Sequence, residues 1–192
     1  MPLSAVTQIR TDRITIRPIS GADLDDLMEV NGDDAVTQFL PYDTWRCLDD
    51  GSAWLARMQA LAASGSGQQL VIERADDMKI IGTVLLFKFD ESSSRLELGY
   101  ALGRAHWGQG FAKEALHAVC HHAFRELSIR RLEAEVHPDN TASNALLQRL
   151  GFVHEGLLRK RWVAKGAAYD TNIYGCLAEE WLSARNAAQP KA

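Results

Sequence analysis

Two stretches of this chain carry residue types at a spacing suited to chemistry on a bound ligand. The first is Gly103-Arg104-Ala105-His106-Trp107-Gly108-Gln109-Gly110-Phe111-Ala112-Lys113-Glu114-Ala115, which joins a strand-like pattern to a helix-like one. Small residues in such a loop let the backbone come close to a ligand. The first amides of the following helix have no internal acceptors and sit at the positive end of its dipole. Together these features can cradle a diphosphate. The run is not a P-loop, because it lacks the Gly-Lys-Ser/Thr ending, and Gly-x-Gly-x-x-Gly is absent too. Read alone, its glycine spacing fits a plain turn better. The second stretch is Leu96-Glu97-Leu98-Gly99-Tyr100-Ala101-Leu102. At period two, Glu97 shares a face with Gly99 and Ala101, so a carboxylate stands beside two tiny side chains and leaves room for a substrate. A solvated strand glutamate is the alternative.

Other candidates have plainer readings. Asn140 follows Pro138-Asp139 and directly precedes a helical pattern, the place of an N-cap. Ser143 and Asn144 lie in the first turn of that helix. His117, His121 and His122 fall on the polar face of a long helix, and no partner at ligand spacing makes a metal site of them. Arg159-Lys160-Arg161 and Lys165 form a basic run, read as a solvated strand edge or a contact for a partner. Cys47, Cys120 and Cys176 are odd in number and widely spaced, which predicts reduced thiols packed as small hydrophobes.

The elements that must position these residues follow from periodicity. Arg13–Pro18 alternates as a strand, and Ser20 with Asp23 marks the start of a helix running to about Val30. A short helix is expected near Asp34–Leu40, and a longer one after Asp49-Asp50 that stops at Gly65-Ser66-Gly67. Gln69–Arg74, Lys79–Phe89 and Arg95–Leu102 read as an antiparallel meander. From Phe111 to Leu127, Ala112, Ala115, Leu116, Val119, Cys120, Ala123, Phe124 and Leu127 form one apolar stripe. A strand over Arg131–His137, a helix ending at Gly151, strands over Phe152–Val163 and Tyr169–Leu177, and a helix near Ala178–Arg185 complete the chain. An antiparallel meander before the loop is the wrong order for a Rossmann unit.

The chain has 192 residues, which suits one domain over 1–192, with its core at about 11–181 and a frayed tail at about 186–192. The formal net charge is −4, which argues against broad electrostatic binding to nucleic acid or acidic lipid. No run approaches the length of a membrane span, and the first residues carry no signal-peptide pattern. These points lead us to expect a cytoplasmic protein, either a monomer or a homodimer.

Trp107-Gly108-Gln109-Gly110-Phe111-Ala112 resembles the pyrophosphate loop of the GNAT superfamily of N-acetyltransferases. Leu96-Glu97-Leu98-Gly99-Tyr100, Val136-His137-Pro138-Asp139-Asn140-Thr141-Ala142-Ser143-Asn144, Leu150-Gly151-Phe152 and Thr11–Pro18 are similar to its Rim-like branch, which acetylates ribosomal-protein N-termini. The resemblance spans about Thr11 to Trp181. Trp107 departs from the Gln or Arg common in the superfamily and reads as a marker of the branch. The resemblance implies an α/β (α+β type) fold: a mixed, mainly antiparallel twisted sheet flanked by helices, with acetyl-CoA in a cleft between two central strands. It implies acetyl-CoA as donor, no metal, and an amine as acceptor, either a protein N-terminus or a small amine such as a polyamine or amino sugar. A module that binds acetyl-CoA without catalysis is the third reading. The CoA contacts it implies are Leu102, Arg104, Trp107, Gly108, Gln109, Gly110, Phe111, Ala112, Asn140 and Asn144. Glu97 would be the base and Ser143 the donor to the leaving sulfur. Acceptor choice would lie in Ser20–Ser64 and the Val163–Asp170 turn.

Overall fold

A computed structural model describes residues 6–186. Eight strands form one sheet: β1 (Ile9–Arg10), β2 (Ile14–Pro18), β3 (Gly67–Arg74), β4 (Ile80–Asp90), β5 (Arg95–Leu102), β6 (Arg131–Val136), β7 (Val153–Ala164) and β8 (Ala167–Leu177). Their spatial order is β1-β2-β3-β4-β5-β6-β8-β7. Every neighbouring pair is antiparallel except β5 with β6.

That one parallel pair decides where a ligand can enter. Its register is Arg95↔Arg131, Leu96↔Leu132 and Glu97↔Glu133, and there it ends, although β5 runs on to Leu102 and β6 to Val136. Beyond Glu97 the strands part in the middle of the sheet. Backbone groups on the facing edges then need other partners.

Helices cover the two faces because the strands alternate. Leu96 and Leu98 point to the side of α4 (Phe111–Arg125), whose Ala115, Leu116, Val119, Cys120, Ala123 and Phe124 bury against them together with Ile14, Ile16, Leu70 and Ile72. Each such large apolar side chain contributes roughly 1.5–3 kcal/mol through burial. The opposite face is covered by α1 (Leu24–Asn31) and α3 (Leu48–Ala63), where Leu27, Trp45, Trp54 and Leu55 pack on Val71 and Ile80. Between them, α2 (Asp34–Thr37) brings Val36 with Val30 onto Ala101. The remaining helices are α5 (Thr141–Arg149) after β6 and α6 (Ala178–Asn186) after β8.

The predicted elements are all present, and the departures have local causes. The first helix opens with a 3-10 turn at Gly21–Asp23, where the Ser20 N–H donates to Asp23 at 2.7 Å and Arg17 pairs with the same carboxylate. β1 is only two residues long, too short for a period to register. Cys47 corrects the reading of three packed thiols. It is exposed at the start of α3, where its N–H donates to Asp50, while Cys120 and Cys176 are buried. The tail expected to fray lies outside the described residues, apart from Asn186 at the end of α6.

Candidate active site

The glycine loop sits where β5 leaves the sheet. Gly108 (φ 72°) and Gly110 (φ 84°) both adopt the left-handed conformation that side-chain-bearing residues resist. A Cβ at Gly108 would meet nothing within 4 Å, and one at Gly110 would meet only Arg13 Nη2 at 3.5 Å, so the protein leaves the front of the loop open. Gly110 is also the residue from which the fifteen-residue α4 starts. The Glu114 N–H takes the Gly110 carbonyl at 3.0 Å, and the three N–H groups before it have no acceptor inside the helix. An anion with several oxygens fits this row of donors.

Side chains around the loop hold its shape. The Trp107 indole donates to the Leu102 carbonyl at 2.7 Å, and Gln109 Nε2 donates to the Ala105 carbonyl at 2.8 Å. The Gly103 N–H bonds Ile81 on β4, so by alternation Leu102 turns its backbone groups toward the open side of the sheet. Arg13, before β2, fastens the loop from outside. Its Nε donates to Glu114 at 2.7 Å, its Nη1 to the Gln109 carbonyl at 3.1 Å, and its guanidinium lies 4.4 Å from the Phe111 ring centre. Arg104 is committed elsewhere, to Asp33 at 2.9 Å.

On the other side of β5 the parting strands open into a cleft of about 800 Å³. Glu97 lies in its floor, 4% exposed. Gly99 beside it leaves the expected room, since a Cβ there would meet only Phe87 at 3.8 Å. Glu97 Oε2 accepts from Lys88 Nζ at 2.8 Å. Its Oε1 takes no hydrogen bond among the described residues. Burial pushes its carboxyl above the ordinary range, with repulsion from Glu135 and Glu133 adding and the Lys88 ammonium opposing. Glu135, on the same face of β6, is the reverse case. Burial pushes it up, but hydrogen bonds from Arg161, Trp162 and Lys88 outweigh this and hold it below the ordinary range. The walls are Phe39, Tyr42, Met58 and Trp162, with Lys165 and Tyr169 from the β7–β8 hairpin. Both segments expected to shape the acceptor side therefore contribute residues to this cleft.

The start of α5 forms the far end of the cleft. Asn140 caps the helix, its Oδ1 accepting from the Ser143 N–H at 3.1 Å. The Ser143 hydroxyl lies 2.6 Å from the Tyr100 hydroxyl, a contact that spans the gap between β5 and α5. Burial pushes the Tyr100 phenol up to about 12. Either hydroxyl can donate in this contact, and where the phenol does so the hydrogen of Ser143 is free for another partner. Asn144 is spent inside the protein. Its Nδ2 donates to the carbonyls of His137 and Asn140, and its Oδ1 accepts from Asn172 and Tyr174. No hydrogen-bonding group of its amide is left for a ligand.

Thus Glu97 and Ser143 open on one cleft, and the loop stands at the end of the same strand. Three participants were missed in the sequence. Glu135 was readable, since Arg131, Glu133 and Glu135 alternate with buried Leu132, Ala134 and Val136. Tyr100 falls opposite Glu97 by strand alternation, but its Ser143 partner lies 43 residues on and leaves no local signal. Lys88 carried no signal, because a bulge reverses its direction. Among the described residues no group of His, Cys, Asp and Glu could hold a metal, and no helix is long and apolar enough to cross a membrane.

Residues 13–153 match the family described as Acetyltransferase (GNAT) domain. The chain is 33% identical over 171 residues to an uncharacterised N-acetyltransferase of Bacillus licheniformis, a match covering 89% of this chain and 96% of the relative. It is 31% identical over 110 residues to the ribosomal-protein-serine acetyltransferase of Escherichia coli, covering 57% of this chain and 60% of that one. Its fold is similar to that of Mycobacterium smegmatis RimJ, solved in complex with CoA-disulfide, with a TM-score of 0.78, 22% identity and 93% of each chain covered.

Proposed function

The chain belongs to the GNAT acetyltransferases, and from that premise we propose that its acceptor is the α-amine of a protein N-terminus, as in ribosomal-protein acetylation in the cytoplasm. It is an acyltransferase that takes its acetyl group from acetyl-CoA and delivers it to an amine nitrogen. The donor supplies an activated thioester. Every other contribution is a matter of how this chain binds, orients and moves a proton.

In this reading the amides at the start of α4, in the open front of the Gly108–Gly110 turn, hold the diphosphate. Leu102, turned to the parted edge of β5, guides the arm that follows. Glu97 Oε1 takes a proton from the acceptor ammonium, leaving a neutral nitrogen to attack the thioester carbon. The carbon–sulfur bond then breaks, the surplus proton on nitrogen passes to the departing sulfur, and the Ser143 hydroxyl, held by Tyr100, donates a hydrogen bond to that sulfur as it leaves. A thiol with a pKa of about 8.5 leaves without strong acid help, so a weak donor is enough.

One observation carries the choice of acceptor: Glu97, the buried carboxylate of a cleft with aromatic walls, keeps one oxygen without a hydrogen bond among the described residues. It suits one ammonium followed by a small, largely apolar chain. An α-amine has a pKa of about 7.7–8.0, so one carboxylate with a raised pKa suffices, whereas a lysine near 10.4 needs roughly 4 kcal/mol for deprotonation at neutral pH. The experiment uses two peptides of one sequence with acetyl-CoA, one blocked at its N-terminus and one at its lysine. Mass spectrometry should find acetyl almost entirely on the peptide with a free α-amine. Equal labelling of both, or of neither beside rapid turnover of a polyamine, would overturn the N-terminal reading.

A further inference from the structure

The two carboxylates in the floor of the cleft, the buried Glu97 and the half-buried Glu135, already hold cations of this chain. Lys88 Nζ lies 2.8 Å from Glu97 Oε2 and 3.3 Å from Glu135 Oε1, and Arg161 stands 3.2 Å from Glu135. The Trp162 indole N–H adds a bond of 2.6 Å to Glu135. The ammonium of Lys88 also sits 5.3 Å from the Phe87 ring centre and 5.4 Å from that of Trp162, so two π faces support it.

A backbone irregularity puts Lys88 there. Phe87 is the register partner of Glu97 and shares its face, so unbroken alternation would send Lys88 to the opposite face of the sheet. Instead the β4–β5 register shifts between Phe87 and Asp90, and Lys88 adopts φ 52°. That conformation is unfavourable for a residue with a side chain. Here it brings a positive charge onto the carboxylate that faces the acceptor.

We infer that Lys88 is a specificity-determining residue, which restricts the cleft to acceptors with one positive charge and turns away dications and polycations. The inference rests on reading the cleft as the acceptor site. With Lys88 and Arg161 in place, Glu97 and Glu135 are balanced charge for charge, and one carboxylate oxygen remains open. A first ammonium has that oxygen. A second ammonium beside the first finds Lys88 and Arg161 and no free carboxylate on the faces of β5 and β6. The other acids of the lining are the exposed Asp139, and Asp170, whose Oδ1 already accepts from the Lys160 N–H. That repulsion acts against the wrong acceptor.

The test compares 1-aminobutane with 1,4-diaminobutane, which differ by one ammonium at the same length. Their kcat/KM ratio is measured for wild type, Lys88→Gln and Lys88→Arg, with calorimetric binding beside CoA as the readout where turnover is too slow. Wild type and Lys88→Arg should favour the monoamine, and Lys88→Gln should move the ratio toward the diamine by about tenfold or more. Unchanged wild-type affinity for acetyl-CoA in Lys88→Gln shows that the site is intact. An unmoved ratio in that intact variant overturns the inference, as does a ratio that Lys88→Arg moves as far as Lys88→Gln does. If neither blocked peptide is labelled and the ratio still moves, the N-terminal reading falls and the role of Lys88 stands.

Discussion

At the scale of single residues, the site is marked by a group that the fold tolerates at a cost. Glu97 is buried and its carboxyl is pushed up, so the charged form is less comfortable in the folded protein than in water. The folded state therefore holds the Glu97 proton more tightly than the unfolded chain does, and the penalty is present above the raised folded pKa. It fades as pH falls through that value. Glu97→Gln should accordingly melt at the same or a higher temperature than wild type at pH 7, with any advantage shrinking at lower pH while activity is lost. A drop of several degrees at pH 7, read by calorimetry, would make Glu97 a structural residue. Its placement was legible in the sequence because strand alternation sets it beside Gly99 and Ala101. Its partner Lys88 was not, since a bulge is a tertiary accommodation and leaves no period to read. Asn144 shows the opposite limit. A polar residue one turn inside a helix reads as available, and only the structure reveals five internal partners.

The elements matter through their ends. β5 and β6 part after three paired positions, and α4 starts from a left-handed glycine within reach of that gap. Gly110 at φ 84° cannot take a branched side chain without strain, and a left-handed residue with a Cβ costs roughly 1–2 kcal/mol. Gly110→Val should lower acetyl-CoA affinity by more than tenfold while the exposed loop spares the core, so circular dichroism should be unchanged. Wild-type affinity by calorimetry in the folded variant would move the diphosphate elsewhere. Most of this level could be read in advance: β5 has the expected bounds, and the apolar stripe of α4 is its buried face. What could not be read is the divergence of β5 from β6. Both strands are continuous patterns, and nothing local states that their pairing stops at Glu97↔Glu133. The Arg13–Glu114 clamp was equally hidden, because its partners lie 101 residues apart.

At the scale of the whole molecule, one strand joins the two halves of the proposed reaction. β5 ends in the loop proposed to hold the donor, and its middle carries the carboxylate proposed to face the acceptor. The packing divides in the same way, with α4 on one face of the sheet and α1–α3 on the other. The acceptor half is assembled from segments far apart in the chain, Phe39–Met58 and Trp162–Tyr169, so no short motif could name its ligand. The proposed transfer of an α-amine proton to Glu97 inside this cleft is read out by the pH dependence of kcat/KM for a free-α-amine peptide in wild type and Glu97→Gln, from about pH 6.5 to 9 across the amine pKa. Glu97→Gln should lose roughly 10²–10⁴ at the acid end, where the amine arrives protonated, and less toward pH 9, where it arrives neutral. A loss of constant size across that range would contradict that transfer and leave Glu97 as a residue that orients the acceptor without accepting its proton.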